Sequence, residues 1–294
     1  MGRQPGRAPV GRGGGPGRAG GPGRAGGRAA TPPARPPAPA RPQTAKHALG
    51  GEQVEGRQAV AELLAAGRRP VTDVWLSADL DPAPILDRIE RLAGDAGVPV
   101  RRVNRVRLES AAATESPQGV LAHARPLPEE ALEDLCRRRP GGPQPFLLAV
   151  DGVSDPRNLG ALLRSAEAAG VTGAVLPRHR AVHVTPTVAK AAAGAIERVP
   201  MTVVAGMPAA LARAKELGCW VVGLAGDGEA SLFDELAVAD QPLVVVLGAE
   251  GGGISRLTRA RCDLVLRIPM RGHLRSLNVS AAGALALFEV SRRR

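Results

Sequence analysis

From Phe146 onward, short uninterrupted apolar strings alternate with helical stretches, and this restricts the fold more than any other feature of the chain. The strings are "FLLAV", "GAVLP", "VPMTVV", "CWVVGLA", "LVVVLG" and "LVLRI". Helices are expected between and after them, starting near Leu159, Thr187, Pro208, Ser255 and Leu277. A strand apolar on both faces must be covered on both faces, and strands separated by helices pair in parallel. Residues 145–294 therefore read as an α/β domain on a parallel sheet. Its ligands are expected beyond the carboxyl ends of the strands.

A smaller α/β unit, 49–126, precedes it. "VEGRQAVAELLAAG" carries apolar residues at helical spacing and stops at Gly67. "VTDVWLS", "VPVRRV" and "QGVLAHAR" read as strands, and "APILDRIERLAGDAG" as a helix. The stretch 127–144, bracketed by Pro and Gly, reads as a linker with one short helix. Residues 1–48 are low in complexity: "GPGRAG" occurs at 15–20 and again at 21–26, followed by "PPARPPAPARP". Such a composition buries too little apolar surface to offset chain entropy, so a disordered tail is expected.

Charge is unevenly spread. The chain of 294 residues has a formal net charge of +11, and residues 1–45 hold eight arginines and no acid. Removing those eight charges leaves +3 for the rest. A polyanionic partner is consistent with this balance; so is a tail that only aids solubility. Aromatic residues are 2% of the chain, so stacking platforms for single-stranded bases are scarce. The three cysteines form no C-x-x-C pair and read as reduced thiols of a cytoplasmic protein. The five histidines lack metal-ligand spacing, and no metal is expected. No apolar run is long enough for a membrane span. Gly and Pro throughout the arginine-rich N-terminus would break the helix of an organellar transit peptide.

Three loops at carboxyl ends of strands carry the chemistry. "LVVVLGAEGGGISRL" nearly spells a phosphate-cradling loop, but Ile254 stands where the lysine belongs and Glu250 lies inside it. A dinucleotide fingerprint also fails, since the third glycine would fall at Arg256. The loop suits a cationic or zwitterionic ligand met by backbone groups; glycine there also serves a tight turn. In "DPRNLGALLRS", Asn158 is expected to cap the following helix, with Arg164 under two turns further on. In "LRIPMRGHLRSLNVSAAGALALFEV", Ser276 and Asn278 open a long helix rich in Ala and Gly, and His273 is a general-base candidate that nothing in sequence orients.

In order and spacing, these three motifs resemble the SpoU (TrmH-like) family of RNA ribose 2′-O-methyltransferases. The resemblance spans about residues 50 to 294. Residues 52–125 look like the small L30e-like RNA-recognition domain of the ribosomal RNA members, close to those acting on a 23S guanosine. The tail is not part of the pattern. The resemblance implies a C-terminal trefoil-knotted methyltransferase domain, against the general rule that chains are unknotted. It further implies S-adenosylmethionine as cofactor, RNA as partner and a homodimer joined through the knotted region and last helix. Carried over residue by residue, Gly248, Ile268 and Leu277 would contact the cofactor. Leu224, Gly226 and Met270 would line the same pocket. Asn158, Arg164, Glu250, Ser276 and Asn278 match the polar catalytic positions, with Asn158 orienting Arg164 and Glu250 shaping its loop or holding Arg164. Arg164 remains protonated at neutral pH, so it is expected to stabilise oxyanion charge or hold a phosphate. Arg157, Arg178, Arg180, Arg271 and Arg275 are expected near substrate phosphates. The alternatives are a transfer RNA methyltransferase, a non-catalytic RNA-binding assembly protein of the same fold, and a nucleotide hydrolase, which the missing lysine disfavours.

Overall fold

The computed structural model describes residues 49–179, 183–234, 236–274 and 276–294. The expected tail over 1–48, and Arg180 and Arg275, lie outside the described residues. Among the described residues no helix is long and apolar enough to cross a membrane.

The N-terminal unit runs β1 (Gln53–Glu55), α1 (Arg57–Ala66), β2 (Val71–Ser77), α2 (Pro84–Asp95), β3 (Val100–Val103), α3 (Arg105–Ala111) and β4 (Val120–Ala124). Its four strands lie in the order β1-β4-β2-β3. Only β2 and β3 are parallel. Two departures from the sequence reading occur here. β1 occupies residues read as the start of the first helix: Gly56, at φ 96, breaks the run, and Gln53–Glu55 pair with β4 instead. The helix α3 was not expected, because Leu108 is its one buried residue. Gly67 does end α1 as expected, in the left-handed conformation.

The short helix α4 (Leu132–Cys136) follows. The C-terminal unit then runs β5 (Phe146–Asp151), α5 (Pro156–Ala168), β6 (Gly173–Pro177), α6 (Pro186–Ala191), β7 (Met201–Val204), α7 (Met207–Glu216), β8 (Trp220–Leu224), β9 (Ala230–Ser231), β10 (Leu243–Gly248), α8 (Arg256–Arg259), β11 (Leu264–Arg267) and α9 (Val279–Arg292). Seven strands form one sheet in the order β7-β6-β5-β10-β8-β11-β9. Every pairing in it is parallel, as the unbroken apolar strings require. β5 and β10 are buried along almost their whole length. The last helix packs on α5 and β10 by close approach. A Cβ at Gly283 would lie 2.3 Å from Leu162 Cδ2 and 2.7 Å from Leu247 Cδ1, so any larger residue would force these two leucine side chains to move.

The two units share one apolar core. A buried bidentate pair crosses between them: Arg69 Nε donates to Glu197 Oε2 at 3.0 Å and Nη2 to Oε1 at 2.5 Å. The same guanidinium donates from Nη1 to the carbonyls of Gly51 and Arg125. The stretch between the units is packed as well, with Glu129 bridged to Met201 beside β7.

Candidate active site

In adjacent parallel strands Gly248 lies opposite Asp151, so the loops after β10 and β5 leave the sheet side by side. After β5, Asp155 caps α5 by accepting from the Arg157 amide at 2.8 Å, with Pro156 at the first helical position. This corrects the sequence reading, which gave the cap to Asn158. Proline at the first helical position loses no hydrogen bond, which fixes the cap directly before Pro156, three residues ahead of Asn158. Asn158 instead lies within the first turn and is 7% exposed.

After β10 the chain curls back on itself. Ala249 and Gly253 exchange backbone hydrogen bonds of 3.0 and 2.8 Å. Gly251 and Gly253 take φ of 72° and 62°, conformations that side chains disfavour. A Cβ at Gly248 would lie 2.0 Å from the Gly253 carbonyl carbon, so this position must be glycine. The loop is tied back to β5 where Ser255 N donates to Asp151 Oδ2 at 3.1 Å. Ser255 then caps α8.

Before α9, Asn278 caps the helix: its Oδ1 accepts from the Ser280 and Ala281 amides at 2.8 and 3.4 Å. That leaves its Nδ2, which donates to Asn158 Oδ1 at 3.0 Å and to Glu250 Oε1 at 2.8 Å. Asn158 Nδ2 donates to the same Glu250 oxygen at 2.8 Å. It also reaches Asp155 Oδ2 at 3.3 Å. One carboxylate and two amides thus bind three separate loops into a cluster at the carboxyl edge of the sheet. The chemistry explains the residue types. Each asparagine must present a donor to Glu250 and an acceptor elsewhere, whereas aspartate at either place would set carboxylate against carboxylate.

A cleft of about 400 Å³ opens beside this cluster. Leu224, Gly226, Gly248, Ile268, Met270 and Leu277 all line it, together with Glu250 and Ser276. Met270 and Leu277 are 38% and 41% exposed at its rim, apolar surface that water covers poorly. Its charged groups are Glu250, Asp227 and Arg259, and Arg259 is taken up by Asp227 at 2.6 Å. The cleft therefore joins apolar side chains, glycine-rich backbone and a carboxylate, a set suited to a flat heterocycle on an amino-acid-like cation.

Arg164 stands elsewhere. It is exposed on α5, roughly 9 Å along the helix axis from Asn158 at the α-helical rise per residue. It lines a second cleft of about 320 Å³ walled by Gln58 and Glu62 of α1 and by Gly194 and Arg198. Among the described residues it makes no hydrogen bond to Asn158 or to Glu250, whose Oε1 is shared by the two asparagines. The expected pairing of Asn158 with Arg164 is therefore not made. Arg157 and Arg271 are exposed and Arg178 is half-buried after β6. His273 is exposed, and among the described residues no side chain orients it. Asp155 is the site residue that sequence reading passed over; an acid directly before a proline was the available signal.

The profile of the SpoU rRNA Methylase family matches residues 145–288. That of RNA 2′-O ribose methyltransferase substrate binding matches residues 53–130. The chain is 39% identical over 246 residues to the 23S rRNA (guanosine-2′-O-)-methyltransferase RlmB of Pseudomonas putida, covering 83% of this chain and 97% of that one. It is 41% identical to the RlmB of Xanthomonas campestris, covering 82% of this chain and 96% of that one. Among solved structures, a putative RNA methyltransferase of the TrmH family from Porphyromonas gingivalis superimposes with a TM-score of 0.65 at 28% identity, covering 82% of this chain and 90% of that one. The SpoU methyltransferase AviRb from Streptomyces viridochromogenes, solved with AdoMet, shares the fold at a TM-score of 0.69 and 24% identity, over 82% of this chain and 89% of that one. With near-complete coverage of relatives at this identity, and with both family profiles matched in order, the chain belongs to the SpoU rRNA methylase family.

Proposed function

We propose that this protein transfers a methyl group from S-adenosylmethionine to the 2′-hydroxyl of a guanosine ribose in 23S ribosomal RNA. The observation that carries the reading is the cleft beside the Asn158–Glu250–Asn278 cluster, with Glu250 common to both. The residues present fit the cofactor: the half-exposed Met270 and Leu277 gain cover from an adenine ring, and a carboxylate rather than a lysine suits a sulfonium and an ammonium. When bound, the cofactor supplies an electrophilic methyl group on a positively charged sulfur. The relatives named RlmB support the choice of 23S RNA and of guanosine.

Within this reading Gly248, Ile268, Leu277, Leu224, Gly226 and Met270 hold the cofactor. The carboxylate–amide cluster keeps three loops in register, so that a ribose hydroxyl approaches the methyl group in line; alignment of this kind contributes several kcal/mol. Ser276, on the cleft wall, binds near the reacting hydroxyl. Arg164, exposed and outside the cluster, holds an RNA phosphate. The N-terminal unit, 49–126, is the RNA-recognition domain, and 127–144 joins it to the methyltransferase domain, 145–294. Three further features belong to the same reading: a trefoil knot, cytoplasmic location, and a homodimer. The position of β10 between β5 and β8, with α9 returning onto α5, supports the knot. The dimer is supported by Leu285 and Phe288 of α9, which are 43% and 49% exposed.

Labelled-methyl transfer from S-adenosylmethionine to protein-free 23S RNA tests the assignment. Ribose-bound label on 23S RNA is the expected result. Label on neither 23S RNA nor transfer RNA overturns it, and label on transfer RNA alone overturns the substrate.

A further inference from the structure

A further cavity, of about 480 Å³, lies apart from the candidate active site in the N-terminal unit, between the end of β2, α3 and the turn before β4. Its size is that of a small-ligand site. Leu80, Leu108 and Pro117 give it apolar surface. Its charged groups are Arg57 and Arg105 against Asp79, Glu109 and Glu115. Carboxylates outnumber guanidiniums, so a bare phosphate is disfavoured. Arg105 Nε donates to Glu109 Oε1 at 2.7 Å on the wall of the cleft, which thus offers guanidinium donors, carboxylate acceptors and apolar surface together, a set that matches a flat heterocycle carrying both kinds of group.

The turn beside the cleft is strained in a way that needs an explanation. Gln118 takes φ of 58°, one of two described residues other than glycine at positive φ. Gly119 follows at φ 70°. Non-glycine residues in this region carry a conformational cost and cluster where a site over-determines them. Gln118 is held from two directions: its Oε1 accepts from the Arg57 amide at 3.1 Å, and its carbonyl accepts from Arg57 Nε at 3.2 Å. The side-chain oxygen also supplies a cap that Gly56 cannot give to α1. This fixes Arg57 on the wall of the cleft. Lys190 of α6 bonds the neighbouring Ser116 carbonyl, which anchors the turn to the methyltransferase domain.

We infer that this cleft takes an unpaired guanine of the substrate RNA other than the methylated nucleotide, and so sets the distance from a recognised base to the reacting ribose. Guanine presents adjacent N–H donors on one edge, which a carboxylate accepts, and the acceptors O6 and N7 on another, which a guanidinium reads. Recognition of an unstacked base is the usual route to sequence specificity in RNA. The inference rests on the assignment of 23S RNA as substrate. It adds a specificity determinant in the N-terminal unit.

The test compares wild type with Asp79→Asn/Glu115→Gln and with Arg105→Ala in methyl transfer to a 23S RNA fragment, with guanosines outside the target replaced singly by inosine, which lacks the N2 amine. KM for RNA is expected to rise about tenfold in the variants, with kcat within about twofold of wild type. Cofactor affinity and melting temperature should stay unchanged, which separates the effect from misfolding. One inosine position should weaken wild type to a similar degree and add nothing in Asp79→Asn/Glu115→Gln. Unchanged KM in both variants, or inosine effects identical in wild type and variant, overturns the inference. If wild type transfers no methyl group, the functional assignment falls, and binding of the same fragments with and without inosine still scores the cleft by the same coupling.

Discussion

At the scale of single residues, the account turns on one carboxylate shared by two amides. Asn158→Ala and Asn278→Ala each remove a strut between loops. Because small misplacements of reacting groups are costly, each is expected to lower kcat by about a hundredfold or more. Cofactor affinity, measured by calorimetry, should stay near wild type for Asn158→Ala, since Asn158 is not among the residues lining the cleft. Loss of cofactor binding in that variant contradicts the role. Asn158→Asp should be at least as damaging as alanine, because it faces Glu250 with a second carboxylate. Arg164→Ala should reduce turnover on RNA and spare cofactor affinity. The types and order of these residues were legible in sequence, because motif positions survive as letters. Their pairing was not: Asn158 meets Glu250 across 92 residues and Asn278 across 120, and which atom of each amide is engaged depends on the cap that Asn278 makes.

At the scale of elements, the parallel strands were readable because burial on both faces leaves no polar interruption. β1 and α3 were not readable: the helical string read from Val54 takes in two of the three residues of β1, and α3 hides a single buried leucine among charges. Two predictions belong here. Gly248→Val forces a side chain into the Gly253 carbonyl, so the loop must open and cofactor binding should be lost; retained affinity contradicts the proposed cradle. The second concerns Glu62 of α1. The Arg198 guanidinium bonded to it, together with Arg88, holds its carboxyl below the usual range, with partial burial opposing them. A carboxyl lowered in the folded state contributes stability above its unfolded value of about 4.3, and the contribution is lost as pH falls below it. The stability difference between wild type and Glu62→Gln should therefore be present at neutral pH and shrink as pH falls below about 4.3. A difference independent of pH in thermal unfolding contradicts the pairing.

At the scale of the whole molecule, the two units are fastened together rather than strung on a free linker. The Arg69 side chain is 2% exposed and that of Glu197 1%. Removing one partner strands a buried charge, so Arg69→Ala is expected to cost about 3 kcal/mol or more in urea unfolding. A cost under about 1 kcal/mol is the range of an exposed pair and contradicts the clamp. Sequence could not show this contact, because its partners lie 128 residues apart and each resembles a surface charge. With both units fixed, the RNA recognition proposed for one and the methyl transfer proposed for the other would share a single geometry, which predicts one modified site. The direct measurement is a map of ribose methylation across all RNA from cells with and without the gene. The account predicts that a single 2′-O-methylated guanosine disappears from 23S RNA and returns with the wild-type chain but not with the Asn158→Ala variant. An unchanged 23S map, or a loss confined to transfer RNA, contradicts it.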